Sequence, residues 1–382
     1  MPANSLFPAE LTDLSRLYDN SIAGLNSSPV IFGCGHLGRG LAVQLKIRGI
    51  TPVALSDNNE MLWGQKIDGI PVLSPAEASH LYNQSHPFIV AVATVGFHVL
   101  ANALQARGVR SVVPYHQLAW KFPDSFLPYY FLDTQENWFN HRHRHCIEAA
   151  YQLLYDDISR SEFARQSQWR CTGDDSLIKG HTTGLHYFRE ELFQLPGNPI
   201  FVDCGAYDGD SIMEWIGFTK SEFSKVYAFE PDPGNLQRLY QTVSGLGRDL
   251  SERISIQPYA TGSSAGVARF DVGQGVGSSI SQASEHEVQV VTLDEIFADK
   301  PVSMIKMDIE GSEFETLVGA RQTIQKDRPI LTICIYHHQK DLWRIPLYIA
   351  SITTDYRFYI RRHMDTWFET VLYAIPNELA VD

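Results

Sequence analysis

Acidic residues and glycines follow two apolar stretches in the C-terminal half of the chain, in a pattern suited to holding a ligand. In FVDCGAYDGDS, at positions 201–211, an apolar strand is predicted to end at Asp203, and Gly205 and Gly209 follow before a helix. Glycines at such a turn let the backbone come close to a bound molecule. The next predicted strand ends at Glu230, where a carboxylate can accept hydrogen bonds from both hydroxyls of a ribose.

Two further strands are predicted to end beside this turn. The third ends at Tyr259-Ala260-Thr261, where the edge of an adenine could lie. The fourth ends in IKMDIEGSEFE at positions 305–315, which carries Asp308. Ligands of open parallel α/β sheets bind in the crevice beyond the carboxyl ends of the strands. All four segments are therefore expected to line one cleft.

Three side chains near that cleft are candidate bases for taking a proton from an acceptor hydroxyl. They are Asp308 and the pair His337 and His338, which follow a strand that ends at Ile335. Neighbours on an extended chain face opposite sides, so one histidine is expected to point away from the cleft. The sequence favours a site without a metal over one in which Asp308 and Glu310 hold magnesium through oxygen ligands.

A structural interpretation of these side chains stays open. Asp308, Glu310 and Glu313 precede or begin the next predicted helix, and a helix N-terminus favours acidic residues. Either histidine of the pair could likewise be a hydrogen-bonded structural residue. For Asp308 we expect a position in the cleft, because acids at strand ends in this fold face the ligand.

A second glycine-rich turn lies near the N-terminus. Gly33, Gly35 and Gly38 fall between a predicted strand and a helix, and Asp57 ends the next predicted strand. In a dinucleotide-binding fingerprint the glycines and the helix N-terminus hold phosphate, and the acid holds a ribose. We therefore expect a nucleotide or NAD(P) in this domain. No substrate domain with an evident hydride-transfer residue accompanies it, and the turn could also be a scaffold that only mediates assembly.

Parallel sheets are needed to position these segments, and the alternation of strands and helices predicts an α/β protein with two domains. Each is predicted to be a mainly parallel, doubly wound sheet, and the C-terminal sheet closes with an antiparallel strand pair. The predicted boundaries are 1–115 for a Rossmann-like nucleotide-binding domain, 116–198 for a helical, aromatic-rich connector and 199–382 for the C-terminal domain. One long helix is expected at about 133–159.

The composition argues against several classes of protein. A formal net charge of −13 over 382 residues disfavours a large nucleic-acid interface, which needs clustered Lys and Arg. The five cysteines form no C-x-x-C pair and are interpreted as reduced thiols of a cytoplasmic protein. No membrane span and no signal peptide are predicted. The sequence leaves the oligomeric state open, a homo-oligomer included.

Several motifs taken together resemble the FkbM-type family of class I S-adenosylmethionine-dependent methyltransferases. They are FVDCGAYDGD, FEPDP, KMDIEG-x-E and IYHHQKDLWRIP followed by VLYAIP, and the similarity covers about residues 185–376. The resemblance implies a seven-stranded Rossmann-like fold for the C-terminal domain and S-adenosylmethionine as the methyl donor. It also implies a methyl acceptor that is an oxygen of a small molecule or saccharide.

The resemblance further implies positions for single residues. Asp203 and Gly205 would lie near the methionine part of the donor, Glu230 at the ribose and Asp308 at the floor of the cleft. Many family members have an asparagine where this chain has Tyr207-Asp208, so the contacts of Tyr207 with the methionine part are expected to differ. Two alternatives remain, an NAD(P)-dependent oxidoreductase that uses the N-terminal domain and a non-catalytic nucleotide-binding protein.

Overall fold

The chain forms two compact units, each assembled from separate stretches of sequence. The computed structural model describes residues 6–9, 12–127, 143–272 and 285–381. The first unit comprises Met1–His143, Phe163–His181 and Met364–Phe368, and the second comprises Arg144–Glu162, Thr182–His363 and Glu369–Asp382. Each unit contains a main sheet whose strands are mostly parallel, which confirms the predicted α/β fold class.

The first unit is built on a sheet of short apolar strands. They are β1 (Val30–Phe32), β2 (Ala54–Ser56), β3 (Lys66–Ile67), β4 (Ile70–Leu73), β5 (Phe88–Val90) and β6 (Val112–Pro114). The strands lie in the order β3-β4-β2-β1-β5-β6, and only β3 and β4 pair in an antiparallel way. Strands β1 and β5 are apolar and buried throughout, as is typical of strands in the middle of a parallel sheet.

Pattern reasoning misses β3, which forms a tight hairpin with β4. Asp68 and Gly69 connect the two strands with φ angles of 50° and 79°. Positive φ at both central residues is the mark of a type I′ turn, for which Asp-Gly is a preferred sequence. This dipeptide was therefore a usable hairpin signal.

The helices described within residues 12–127 alternate with these strands. They are α1 (Leu17–Ser21), α2 (His36–Ile47), α3 (Pro75–Tyr82), α4 (Phe97–Gln105), α5 (Tyr115–Lys121) and α6 (Pro123–Phe126). Helix α3 begins where it does because Ser74 and Glu77 form a capping box, with Pro75 at the first helical position.

The helix predicted at about 133–159 is divided in the structure, and residues 133–142 lie outside the described part of the chain. The described helices are α7 (Arg144–Leu153) and α8 (Asp157–Thr172). Leu154 leaves the helical path and forms an isolated β-bridge. The carboxylate of Asp156 then accepts a hydrogen bond of 2.8 Å from the backbone N–H of Ser159, which is an N-cap interaction that starts a new helix.

The second unit contains a seven-stranded sheet and a small three-stranded sheet. Its described strands are β7 (Ile200–Cys204), β8 (Lys225–Phe229), β9 (Ile254–Gln257), β10 (Ala260–Thr261), β11 (Gly266–Arg269), β12 (Glu287–Val291), β13 (Met304–Met307), β14 (Ile330–Cys334), β15 (Tyr356–Arg362) and β16 (Thr370–Pro376). The large sheet has the order β15-β16-β14-β13-β7-β8-β9 and the small one β10-β12-β11. In the large sheet only β16 runs antiparallel to its neighbours, as the predicted closing pair requires.

Helices connect the parallel strands of the second unit. They are α9 (Asp210–Phe218), α10 (Pro233–Ser244), α11 (Arg248–Ser251), α12 (Leu293–Ile296), α13 (Glu313–Val318), α14 (Arg321–Asp327) and α15 (Asp341–Ile352). Trp215 of α9 stacks on Phe201 of β7, with ring centroids 4.6 Å apart, and this fixes the helix that follows the glycine-rich turn. No helix in the described ranges is long and apolar enough to cross a membrane.

Candidate active site

The glycine-rich turn after β7 is held by the buried side chain of Lys306 on the neighbouring strand β13. Lys306 Nζ lies 3.0 Å from Asp203 Oδ1 and donates a hydrogen bond of 2.6 Å to the carbonyl oxygen of Gly205. The hydroxyl of Ser211 donates to the other oxygen of Asp203. Burial raises the pKa of Asp203, although the Lys306 ammonium acts in the opposite direction. Because Asp203 is fully buried, it lies beneath the cleft and holds the turn from below.

Three residues of this turn have a left-handed backbone. Gly205 has a φ of 85°, and a Cβ added to it would lie 1.9 Å from the carbonyl oxygen of Asp308, so no larger residue fits there. Gly209, with a φ of 93°, is the N-cap of α9. Tyr207 has a φ of 46°, and its ring lies under the guanidinium of Arg238, whose Cζ is 5.1 Å from the ring centroid.

Glu230, at the end of β8, has both carboxylate oxygens fixed by N–H groups. Oε2 accepts a hydrogen bond of 2.9 Å from the backbone of Tyr207, and Oε1 accepts one of 2.9 Å from the backbone of Asp232. The side chain of Asn235 donates to Oε1 at 3.3 Å. Burial raises the pKa of Glu230, and these donors partly offset that effect. The result is a carboxylate with a set position and spare lone pairs at the edge of the cleft.

The carboxyl ends of β7, β8 and β13 and the segment after β9 surround one cleft with an empty volume of about 810 Å³, part of it open to solvent. Five of the residues predicted from the sequence line it: Gly205, Tyr207, Glu230, Ala260 and Asp308. The lining also contains apolar and aromatic residues, among them Phe229, Tyr259, Phe270 and Ile309. The remaining predicted residues of this half lie outside the lining: Asp203, Gly209, His337 and His338.

A carboxylate–imidazole cluster adjoins the cleft beyond the ends of β13 and β14. His337 Nδ1 lies 2.8 Å from Glu313 Oε1, which also accepts a hydrogen bond of 2.9 Å from the backbone of Ile309. On the other side of the ring, His337 Nε2 lies 3.5 Å from Asp308 Oδ1 and 3.7 Å from Glu310 Oε2. The imidazole and Glu313 are buried, whereas Asp308 and Glu310 reach the cleft.

The charged groups of this cluster shift one another's pKa values. Burial would lower the pKa of His337, but the neighbouring carboxylates, Glu313 above all, outweigh it and raise that pKa to about 10. Burial raises the pKa of Glu310 to about 8 and that of Glu369 to about 7. Burial also acts to raise the pKa of Asp308, but Lys306 and His337 hold it below its ordinary value. Strongly shifted groups that share a cleft are typical of functional sites.

The two histidines predicted as candidate bases have different surroundings. His337 lies behind Asp308 and Glu310 with 1% of its side chain exposed. His338 packs on the turn before α13, where its Nε2 would lie 2.8 Å from a Cβ added to Gly311. Neither ring contributes to the cleft lining, so the carboxylates are the groups of this cluster that a bound molecule meets first.

Sequence reasoning missed three polar residues of the site. Lys306 had a signal, because it stands two positions before Asp308 in an apolar strand and therefore shares its face. Tyr187 donates a hydrogen bond of 2.7 Å to Asp308 Oδ2 from 121 positions away, and no local pattern indicates such a contact. Glu369 precedes the last strand, and only the fold brings its charge close to Asp308.

The three glycines between β1 and α2 have different roles in the turn. A Cβ on Gly33 would lie 2.6 Å from the carbonyl oxygen of Ala91, and one on Gly38 would lie 1.8 Å from that of Gly33, so both allow close packing. A Cβ on Gly35 would meet nothing within 4 Å. Asp57 accepts a hydrogen bond of 2.6 Å from the backbone of Cys34. Gly35 is thus the position of the fingerprint at which a ligand has room to approach the backbone.

Comparisons with known proteins agree with the resemblance seen in the motifs. Residues 203–367 match the family model described as the methyltransferase FkbM domain. The 2-O-methyltransferase NoeI of Sinorhizobium fredii is 22% identical over 178 residues, which cover 41% of this chain and 71% of that protein. The crystal structure of methyltransferase FkbM from Methylobacillus flagellatus KT superposes with a TM-score of 0.76 at 24% identity, over 98% of this chain and 95% of that one. This last likeness shows that the two chains share a fold, and the family-model match over residues 203–367 confirms the resemblance of the C-terminal half to the methyltransferase FkbM domain.

Proposed function

We propose that the second unit transfers a methyl group from S-adenosylmethionine to a hydroxyl oxygen of a small molecule or saccharide. The observation that carries this proposal is Glu230, a carboxylate fixed by three N–H groups on the wall of the cleft. The same cleft is lined by Gly205 and Tyr207 of the glycine-rich turn and by Asp308 and Glu310 of the carboxylate–imidazole cluster. The relative from S. fredii is named a 2-O-methyltransferase, which supports an oxygen as the acceptor.

The residues of the cleft suit an adenosine-bearing donor. Glu230 would accept hydrogen bonds from the ribose hydroxyls, and Ala260 and Ile309 offer apolar surface to an adenine. Gly205 leaves its face of the turn open to the methionine part, because it has no side chain. When bound, S-adenosylmethionine supplies a methyl group activated by a sulfonium.

Methyl transfer asks the protein mainly for positioning and for a polar, preorganised cavity. The acceptor oxygen forms a bond to the methyl carbon, the carbon–sulfur bond breaks with its electrons left on sulfur, and the hydroxyl proton passes to the protein. Asp308 and Glu310 border the cleft. We assign the proton to Asp308, which is ionised, since burial raises the pKa of Glu310 to about 8 and keeps that group protonated at neutral pH. His337 supports them from behind, and Tyr187 orients Asp308 through its hydroxyl.

The test is methyl transfer by the full chain. The protein is incubated with methyl-labelled S-adenosylmethionine and a panel of hydroxylated small molecules and saccharides, and mass spectrometry detects methylated product and S-adenosylhomocysteine. Asp308→Asn should lower the rate by about 100-fold or more, while Glu315→Gln, on the exposed face of α13, should not change it. Failure of the wild-type protein to bind the donor, or an unchanged rate in Asp308→Asn, would overturn the proposal.

For the first unit we propose binding of a nucleotide, with NAD(P) as the leading example. The open face of Gly35 at the N-terminus of α2 supports this, since the backbone there has room for a phosphate. Titration of the full chain with NADH, NADPH and ATP tests it, and Gly35→Val should weaken the affinity at least tenfold. If the protein binds none of these, or if Gly35→Val has no effect, the unit is a scaffold only.

We also propose a cytoplasmic location. All five cysteines lie in the described part of the chain, none is in a disulfide, and four of the five are buried. Free thiols are typical of proteins in reducing compartments. Alkylation of the protein in intact cells should find all five thiols reduced, and a disulfide at any of them would argue for another compartment.

A further inference from the structure

Two buried carboxylate oxygens of the cluster receive no hydrogen bond from the described residues. They are Oδ1 of Asp308 and Oε2 of Glu313, and the Glu313 side chain has no exposed surface. Buried polar atoms without a hydrogen-bond partner are uncommon in folded proteins, and a water or an ion is a common partner for them.

The ligand-type atoms of the cluster are close enough to share one ion. One atom each from Asp308, Glu313 and His337 lies within 4.8 Å of the other two, and His337 Nε2 is 3.5 Å from Asp308 Oδ1. Atoms that bind one first-row ion at about 2.0–2.2 Å stand about 3–4.4 Å apart. His337 Nε2 is also 3.7 Å from Glu310 Oε2, so both of its carboxylate neighbours already have the spacing of ligands that share an ion.

The orientation of the imidazole agrees with this. Its Nδ1 lies 2.8 Å from Glu313 Oε1, so an Nδ1 proton has a carboxylate acceptor. Nε2 is aimed at Asp308 and Glu310 and is the nitrogen from which a bound cation would displace the proton. A carboxylate that fixes the far nitrogen of a metal-binding histidine is the usual arrangement around protein metal sites.

The charge balance also favours a cation. The carboxyl groups of Asp308, Glu310, Glu313 and Glu369 lie near one imidazole, and the Lys306 ammonium that acts on Asp308 also pairs with the buried Asp203. Removing several like charges from water in one place is costly unless opposite charge accompanies them. A divalent ion would supply that charge at the point where the carboxylates meet.

We propose that Asp308, Glu310 and His337 bind a divalent metal ion through Asp308 Oδ1, Glu310 Oε2 and His337 Nε2, with Glu313 holding the other ring nitrogen. The mixed nitrogen and oxygen ligands suit Mn²⁺, Co²⁺ or Zn²⁺ better than Ca²⁺. This differs from the metal-free site expected from the sequence. Because Asp308 and Glu310 border the cleft, the ion would also hold the acceptor oxygen and ease loss of its proton. That role rests on the proposed function, whereas the binding of the metal ion does not.

Binding is measured on the full chain without donor or acceptor. The protein is stripped with a chelator, dialysed and titrated with Mn²⁺, and the loss of the free-ion electron paramagnetic resonance signal gives stoichiometry and affinity. We expect one ion per chain, with affinity about 10- to 100-fold weaker in Asp308→Asn and His337→Gln and unchanged in Glu315→Gln. The inference is overturned if the wild-type protein binds none of Mn²⁺, Co²⁺ and Zn²⁺, or if both site variants bind as the wild type does.

A measurement on the wild-type protein alone covers the case in which the variants do not fold. Pulsed electron paramagnetic resonance of the Mn²⁺ complex should detect coupling to an imidazole nitrogen, and bound Mn²⁺ without such coupling would exclude His337 as a ligand. The result is separate from the proposed function. Methyl transfer by a protein that binds no metal would remove this inference alone, and metal binding without donor binding would remove the proposed function alone.

Discussion

Replacing Glu230 by glutamine tests the donor pocket with little change of shape. The substitution keeps the length of the side chain and removes its charge and one of its two acceptor oxygens. The structure has both oxygens fixed by N–H groups at 2.9–3.3 Å, so a ribose hydroxyl would meet a carboxylate already in place. A hydrogen bond to a charged group contributes about 1.5–3 kcal/mol. Its loss should weaken the binding of S-adenosylhomocysteine by about 10- to 150-fold.

Isothermal titration of the folded variant measures this change directly. Asp57→Asn is the matched control, because Asp57 ends the second strand of the other unit and is likewise tied to a backbone N–H, yet should leave this affinity unchanged. Thermal unfolding must show that Glu230→Gln remains folded, since the new amide would face the N–H of Tyr207. An affinity within twofold of the wild type in a folded Glu230→Gln protein would refute the ribose assignment.

Three further predictions concern stability. Lys306→Met leaves the Asp203 carboxylate buried without its partner and should lower the free energy of unfolding by about 3–5 kcal/mol in denaturant titrations. Burial raises the pKa of Asp175 to about 7, so the stability that it contributes is present at low pH and is lost as the pH rises through 7. Asp175 should therefore lower the free energy of unfolding by about 2–3 kcal/mol between pH 5 and pH 8. Asp175→Asn should abolish that part of the pH dependence. Gly38→Ala should prevent folding of the first unit, whereas Gly35→Ala should not, and circular dichroism with limited proteolysis distinguishes the two.

Residues that follow from local pattern were accessible to sequence reasoning. Gly205 and Glu230 directly follow the ends of strands β7 and β8. The turn at the first position needs a residue without a side chain, and an acidic residue at the second can face a ligand. Their positions depend on strand periodicity and on the rule that ligands bind at the carboxyl edge of a parallel sheet. For the same reason the mainly parallel sheet of the second unit and its closing antiparallel pair could be predicted from short apolar runs and their spacing, whereas the count of seven strands came from the family resemblance.

Contacts between distant parts of the chain could not be predicted from the sequence. The hydrogen bond from Tyr187 to Asp308 and the charge of Glu369 depend on tertiary packing, which no window of sequence contains. The two histidines after β14 cannot be distinguished from the sequence, but in the structure His337 Nδ1 lies 2.8 Å from Glu313 Oε1, whereas His338 packs against Gly311. The break near Leu154 also has a tertiary cause, since the N–H of Tyr155 donates to the carbonyl oxygen of Phe358 rather than to a helical carbonyl.

The central claim is that the cleft of the seven-stranded sheet holds the methyl donor. Hydrogen–deuterium exchange of the full chain with and without S-adenosylhomocysteine measures where the molecule binds. The account predicts slower exchange in the turn at 203–212, at the end of β8 around Glu230 and at 259–261. Slower exchange at 33–40 and around Asp57 instead, or no change anywhere at saturating ligand, would contradict it.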